Sequence, residues 1–252
     1  MKKVLTIILS LVLTLSVALF SGCGDSSLFS GKYTEVQASE LTTFAAEVDA
    51  AEGGDEIDYG GGINVYVKMD VTQTIETVTN SQSVTMDLKA IAENNELKMQ
   101  GDVTNKTNGV KQTGSMYYYQ DYMYMDGGVS GKYKMPIGLD DYINLNLAGA
   151  IGTGTFLSLE DLLEESIGEG ETLKFYQDNS GEDTKIKVEY SAQGRGFSLV
   201  FIYNAQKKLV AYRMSAHFEE EGFSGAGVIE YKPWTGSITL PTDLNTYVQI
   251  GA

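Results

Sequence analysis

The stretch GGINVYVKMDVTQTIE, residues 61–76, alternates with period two. Ile63, Val65, Val67, Met69, Val71 and Ile75 are apolar, and Asn64, Lys68, Asp70, Thr72, Thr74 and Glu76 fall between them. Successive side chains of a strand point to opposite faces, so this reads as a strand with one dry and one wet face. That is the pattern of an antiparallel sheet; parallel strands are buried on both sides. At about fourteen residues against the usual five or six, the strand also predicts strong curvature.

The same period recurs along the chain. Val84, Met86, Leu88, Ala90 and Ala92 carry it, then Leu97, Met99 and Val103, with turn signals at Asn80-Ser81, Asn94-Asn95 and Asn108-Gly109. The segment SMYYYQDYMYMDGGVSGKYKMP, residues 115–136, reads as two short strands about Gln120-Asp121 and a third after a Gly-rich turn. Alternation returns at Leu173/Phe175, Ile186/Val188/Tyr190, Phe197/Leu199/Phe201/Tyr203 and Val210/Tyr212/Met214/Ala216/Phe218. A last strand covers Phe223 to Tyr231. Consecutive strands with short turns predict an antiparallel meander.

Three helices are expected. In ASELTTFAAEVDA, residues 38–50, Ser39 is placed to cap, and Leu41, Phe44, Ala45 and Val48 fall at i, i+3, i+4 and i+7. Ser158-Leu159-Glu160-Asp161 is a capping box before Leu162, Leu163 and Ile167. Thr242 caps a short C-terminal helix holding Leu244, Tyr247 and Val248. Residues 137–156 show no period. Nine or ten strands each offer an apolar face and three modest helices must cover them, so the sheet either splits into a sandwich or curls round the helices. The fold class is mainly β (α+β), one domain over 32–252. About 230 residues can bury a core of that size.

The other informative stretch is LFSGCGDSS, residues 19–27, which holds the single cysteine, Cys23. Lys2 and Lys3 precede an apolar run from Val4 to Phe20, broken by Thr6, Ser10, Thr14 and Ser16, with small Ser21 and Gly22 after it. This predicts a secretory signal peptide over 1–22; the run is short of the roughly 20 apolar residues a span needs. Phe20-Ser21-Gly22-Cys23 resembles the lipobox of bacterial lipoproteins, with Phe where Leu is usual. That resemblance implies cleavage before Cys23 and a diacylglyceryl group on its thiol. Two acyl chains anchor stably where one is marginal. Residues 23–31 are then the lipidated cysteine and a short tether. The expected location is the extracytoplasmic face of the cell membrane, at a Gram-positive cell surface.

Charge narrows the partners. The chain carries −16, and without residues 1–22, which hold two Lys and no acid, −18. So acidic a surface repels nucleic acid, whose binding rests on Lys and Arg, and gives no polybasic attachment to anionic lipid. With Cys23 lipidated, no disulfide forms, and the core alone stabilises the fold.

The early helix, the long meandering strands, YYYQDYMYMDGGVSGKYKMP (117–136) and the closing ITLPTDLNTY (238–247) together resemble a group of uncharacterised Gram-positive lipoproteins. That group is similar to the LolA/LppX-type lipoproteins. The resemblance implies an open half-barrel, lined by apolar side chains and plugged by helices on its concave side, and an acyl-chain or lipopeptide carrier.

Catalytic signatures are sparse. His217, the single His, falls with Arg213 and Ser215 on the polar side of its strand and is expected on a solvated edge. Asp140-Asp141, Glu164-Glu165 and Glu219-Glu220-Glu221 read as solvated charge runs rather than glycosidase or calcium sites. QDNSGEDTK (177–185) misses the EF-hand spacing, and Gly149, Gly152 and Gly154 lack a strand–loop–helix context. We therefore expect no enzyme, no cofactor and no metal. The remaining enrichment is Tyr117, Tyr118, Tyr119, Tyr122, Tyr124 and Tyr133 with Met116, Met123 and Met125. Inward members make an adaptable wall, and outward ones a platform for a glycan or a protein. The leading expectation is a hydrophobic ligand, a lipid or lipopeptide, in a concave cleft. Its lining is Val65, Val67, Met69 and Val71 on one strand, and Val84, Met86 and Leu88 on the next. Leu97, Met99, Tyr118 and Tyr124 complete it. The alternative is a non-catalytic glycan- or protein-binding surface module.

Overall fold

The computed structural model describes residues 28–51, 62–75, 77–93, 96–128, 131–136, 158–164 and 168–250. Its strands are β1 (Thr34–Val36), β2 (Gly62–Ile75), β3 (Val78–Glu93), β4 (Glu96–Thr107), β5 (Val110–Tyr119), β6 (Tyr122–Asp126) and β7 (Lys132–Pro136). They continue with β8 (Thr172–Asp178), β9 (Thr184–Ala192), β10 (Arg195–Tyr203), β11 (Leu209–Glu220), β12 (Phe223–Pro233) and β13 (Val248–Gln249). All lie in one large, open, curved sheet of order β1-β8-β9-β10-β11-β12-β2-β3-β4-β5-β6-β7-β13. Two meanders, β2–β7 and β8–β12, are sewn together where β12 pairs with β2, from Phe223 opposite Gln73 to Pro233 opposite Ile63. Thirteen strands at roughly 4.8 Å spacing make an arc of about 58 Å. The short strands β1 and β13 close the two edges, which limits the backbone left free to pair with another chain.

Residues opposite one another on neighbouring strands share a face, so the register sorts every side chain. One face carries α1 (Ala38–Asp49) and α2 (Leu159–Glu164). Leu41, Phe44, Ala45 and Val48 of α1 and Leu159 and Leu162 of α2 pack with Val65, Val67, Leu88, Ile186, Val188, Leu199, Phe201, Tyr203, Ile229 and Tyr231 in one core. Phe44 meets Tyr203 edge-on at 5.3 Å. Lys207, in the β10–β11 turn, pairs with Glu47 at 2.9 Å and lies over the Phe44 ring, fixing α1 at that end of the sheet.

Several expectations need correction. The described residues hold two α-helices; the third expected helix is a 3-10 turn at Leu244–Thr246 followed by β13. With a single turn between Pro241 and the strand, no second helical turn can form. The sheet is mixed, because β13 runs parallel to β7. The described residues form thirteen strands, and the two edge strands are too short to show a period. Helix α1 begins one residue before Ser39: the Gln37 N–H donates to the Glu40 carboxylate at 2.7 Å, and this closes its first turn. The Ser158 box forms as expected, the Asp161 N–H donating to Ser158 Oγ at 3.1 Å. Asn80-Ser81 is strand, not turn. Asn108 reaches across, accepting from the Ser81 N–H at 2.8 Å, and ties the exposed ends of two hairpins together. Asn108-Gly109 and Gln120-Asp121 do turn, each residue with positive φ, as a two-residue hairpin requires. The signal peptide, Cys23 and residues 137–156 lie outside the described residues.

The other face, helix-free in that it carries no α-helix among the described residues, receives the segment before β1. Phe29 is buried against Val200, Ile202 and Ala211, although it belongs to the stretch read as tether. Lys185 Nζ donates to the carbonyls of Leu28 and Ser30 at 2.6 and 2.7 Å, and the Tyr33 hydroxyl donates to the Phe29 carbonyl at 2.9 Å. The Lys32 N–H donates to Asp178 at 2.8 Å. The bulge at Tyr203/Leu209 makes this seat: it turns Leu209 to the helix side and leaves Val210 on the outer one.

Hydrogen bonds from Ser180, and from the Lys32 backbone, hold the Asp178 carboxyl below the usual carboxylate range. Its folded pKa thus lies under the unfolded value of about 3.9. The stability it contributes is present above that value and lost as pH falls through the folded one. Amide protection at Lys32 and Ser180, corrected for intrinsic exchange, should fall on acidification below about pH 4. In Asp178→Asn it should be weaker and insensitive to pH over that range. Unchanged acid protection in the wild type would contradict this.

Candidate functional site

The helix-bearing face has a distinct composition. Of nine methionines in the chain, all eight after the initiator lie on it. Met99 and Met123 are buried in the core, and Met69, Met86, Met116, Met125, Met135 and Met214 are partly buried against it. The register sets them side by side: Met116 opposite Met125, Met123 opposite Met135, Met86 opposite Val67 and Val103, Met99 opposite Ala90 and Tyr118. Gly101 makes room among them. A Cβ there would come within 3.0 Å of Leu88 Cδ1 and 3.1 Å of Met116 Cγ. Met is unbranched and polarizable, so a surface of six half-covered thioethers can reshape round an irregular apolar guest.

Among the residues expected to line a cleft, Val65, Val67, Leu88, Met99 and Tyr118 belong to the core under the helices, while Met69, Met86 and Leu97 flank it. Val71 and Val84 share the face but stand half-buried nearer the hairpin ends, outside that cluster. Tyr124 does not join them. The β5–β6 register pairs Tyr118 with Met123 and Tyr117 with Tyr124, which sends Tyr124 to the helix-free face. There it meets Tyr247 edge-on at 5.5 Å, and burial pushes its hydroxyl pKa up. Tyr117, Tyr119 and Tyr122 share that face, and Lys134 Nζ stands 5.3 Å from the Tyr122 ring centre.

The helix-free face also holds a groove of about 530 Å³ across β8–β11, lined by Thr172, Lys174, Tyr176, Glu189, Ser191, Ser198, Ser215 and His217 among others. Thr172 Oγ1 and Ser191 Oγ bond at 2.6 Å, and Lys187 pairs with Glu189 at 2.8 Å. His217 is exposed as expected, though on the interior strand β11 rather than at an edge. Its imidazole lies over Gly196, where a Cβ would come within 2.5 Å of Cε1. Ser215 Oγ donates to the Ser198 carbonyl at 3.5 Å, and the Tyr176 hydroxyl bonds the Glu189 carboxylate. Together they form a polar, hydrogen-bonding surface.

No family model matches the chain, and no curated protein matches it. Among solved structures the chain is similar to a DUF1329 family protein from Desulfovibrio piger, 12% identical, with a TM-score of 0.23, over 80% of this chain and 93% of that one. A likeness so loose carries no argument.

Sequence reasoning placed Met214 on the apolar side of its strand but missed Met135 as a member of that face. The signal was available for Met135: a two-residue turn at Gln120-Asp121 fixes the parity of β6, and β7 follows from it. The groove at His217 had no comparable signal, since its residues come from four strands with unremarkable polar alternation.

Proposed function

We propose that this chain is a non-catalytic, lipid-anchored protein of the extracytoplasmic membrane surface, a LolA-like half-barrel whose concave side binds a hydrophobic molecule. The observation that carries the reading is the gathering of all eight later methionines on the face that holds the two α-helices of the described residues, six of them only partly buried there. A face meant purely for core packing is served better by branched side chains with fixed rotamers; thioethers suit a surface that must change its fit. The ligand class is an acyl chain or another flexible apolar group.

The test uses a fluorescent apolar probe. Met116→Glu/Met125→Glu places charge on a half-open cross-strand pair and is expected to weaken probe binding at least about tenfold, the effect of roughly 1.4 kcal/mol. Far-UV circular dichroism should stay that of the wild type. Unchanged binding would overturn the reading.

A second reading, a glycan- or protein-binding module, is favoured by the four tyrosines 117, 119, 122 and 124 sharing the helix-free face. Tyr117→Ala/Tyr122→Ala would then abolish retention on a glycan or partner and leave the probe unaffected.

A further inference from the structure

We propose that the helix-free face of β8–β11 is the surface turned toward the lipid bilayer, so that the methionine face opens away from the membrane that anchors the protein. This rests on lipid anchoring at Cys23 as read above. The observation behind it is the docked segment: Phe29 is seated in its pocket, and Lys185 clamps the carbonyls on either side of it. Arg213 adds a guanidinium 5.9 Å from the Phe29 ring centre. Cys23 lies five residues before Leu28, a reach of at most about 18 Å even fully extended. From β10 to β5, six strand spacings away, the sheet alone measures about 29 Å. The backbone before Leu28 therefore does not itself reach the methionines of β5–β7. The most direct path for an acyl group on Cys23 into the bilayer is on the side where Phe29 is held.

Charge on that side permits close approach. Lys174, Lys185, Lys187, Arg213 and Lys232 stand there against Glu35, Asp178, Glu189, Glu219 and Glu230. This near-balanced strip belongs to a chain of net charge −16. Anionic headgroups, which repel an acidic protein, meet their least resistance at such a strip. A consequence for function follows: ligand would reach the methionine face from the outer medium or from a neighbouring surface, rather than by direct extraction from the bilayer beneath.

The experiment takes the full-length lipidated protein in vesicles of phosphatidylethanolamine and phosphatidylglycerol that carry a headgroup nitroxide. A fluorophore is attached at Lys174→Cys or at Met125→Cys, Cys23 being occupied by lipid. Quenching at Lys174→Cys should exceed that at Met125→Cys at least threefold. Equal quenching, or more at Met125→Cys, overturns the orientation. Flotation separates the two levels of the argument: Cys23→Ala must lose vesicle association. If it still floats like the wild type, both the anchor and the orientation built on it fall; if it is lost but the quenching order is reversed, only the orientation does. Phe29→Ser, which empties the pocket, should bring the two quenching values together. A contrast that survives it contradicts the docked segment as the orienting element.

Discussion

Replacing Phe201 by alanine is expected to lower the unfolding free energy by about 3–5 kcal/mol. Phe201 is 1% exposed at the centre of β10, opposite Ile186 on one side and Tyr212 on the other. Its ring stacks on Tyr203 at 6.2 Å and tilts against Tyr212 at 5.3 Å. Tyr203 in turn meets Phe44 of α1, so the cavity would open beneath a helix pinned by Lys207 and unable to sink far into it. With strands on both sides held in register by backbone ladders, the site collapses poorly, which puts the cost at the upper part of the range. Domains have total stabilities of about 5–15 kcal/mol, so a large share would go. Urea titration should show a lower midpoint at unchanged slope. Val110→Ala, at a hairpin end with 66% exposure, should stay within about 0.5 kcal/mol. Equal effects for the two would contradict the placement of the core.

The second large effect comes from a charge. Glu230 is completely buried on the helix-free face, and neither carboxylate oxygen has a hydrogen bond among the described residues. Its ion pairs are with Arg213 Nε at 3.5 Å and Lys232 Nζ at 3.7 Å. Arg213→Ala leaves a buried carboxylate with one cation at the longer distance. Removing one partner of a buried pair costs 3–5 kcal/mol. Arg213 is itself partly exposed, so about 3 kcal/mol is expected here. The same change withdraws the guanidinium beside Phe29, so the docked segment should also become more sensitive to protease. Arg213→Met/Glu230→Leu removes both charges and keeps volume, and should cost clearly less than Arg213→Ala alone. A double variant as unstable as the single would mean that packing, not charge, holds this spot.

Much of the architecture was legible because alternation over ten or more residues leaves little choice. β2 and β3 declared their faces, and the residues from Val65 to Met99 named for the apolar side do lie on it. Four features were not legible. Edge strands of two or three residues have no period. Asn80-Ser81 carries turn residues but lies in a polar hairpin that runs on past the core, where strand pairing and Asn108 override local preference. Tyr118 and Tyr124, six residues apart, look equivalent until the turn at Gln120-Asp121 reverses the chain and puts them on opposite faces. Phe29 is the most instructive: a single aromatic in a small, polar stretch gives no local sign of its pocket, which the distant bulge at Tyr203/Leu209 creates by turning Leu209 one way and Val210 the other.

The central claim is that the methionine face is a working surface. Methyl-labelled methionine gives eight resonances from the folded chain, and titration with a long-chain fatty acid reads them together. The account predicts progressive, saturable shifts for the half-covered Met86, Met116, Met125 and Met135, with smaller ones for buried Met99, and no movement of tyrosine ring signals from Tyr117 or Tyr122. Methionine signals that stay fixed while those tyrosines shift would contradict it.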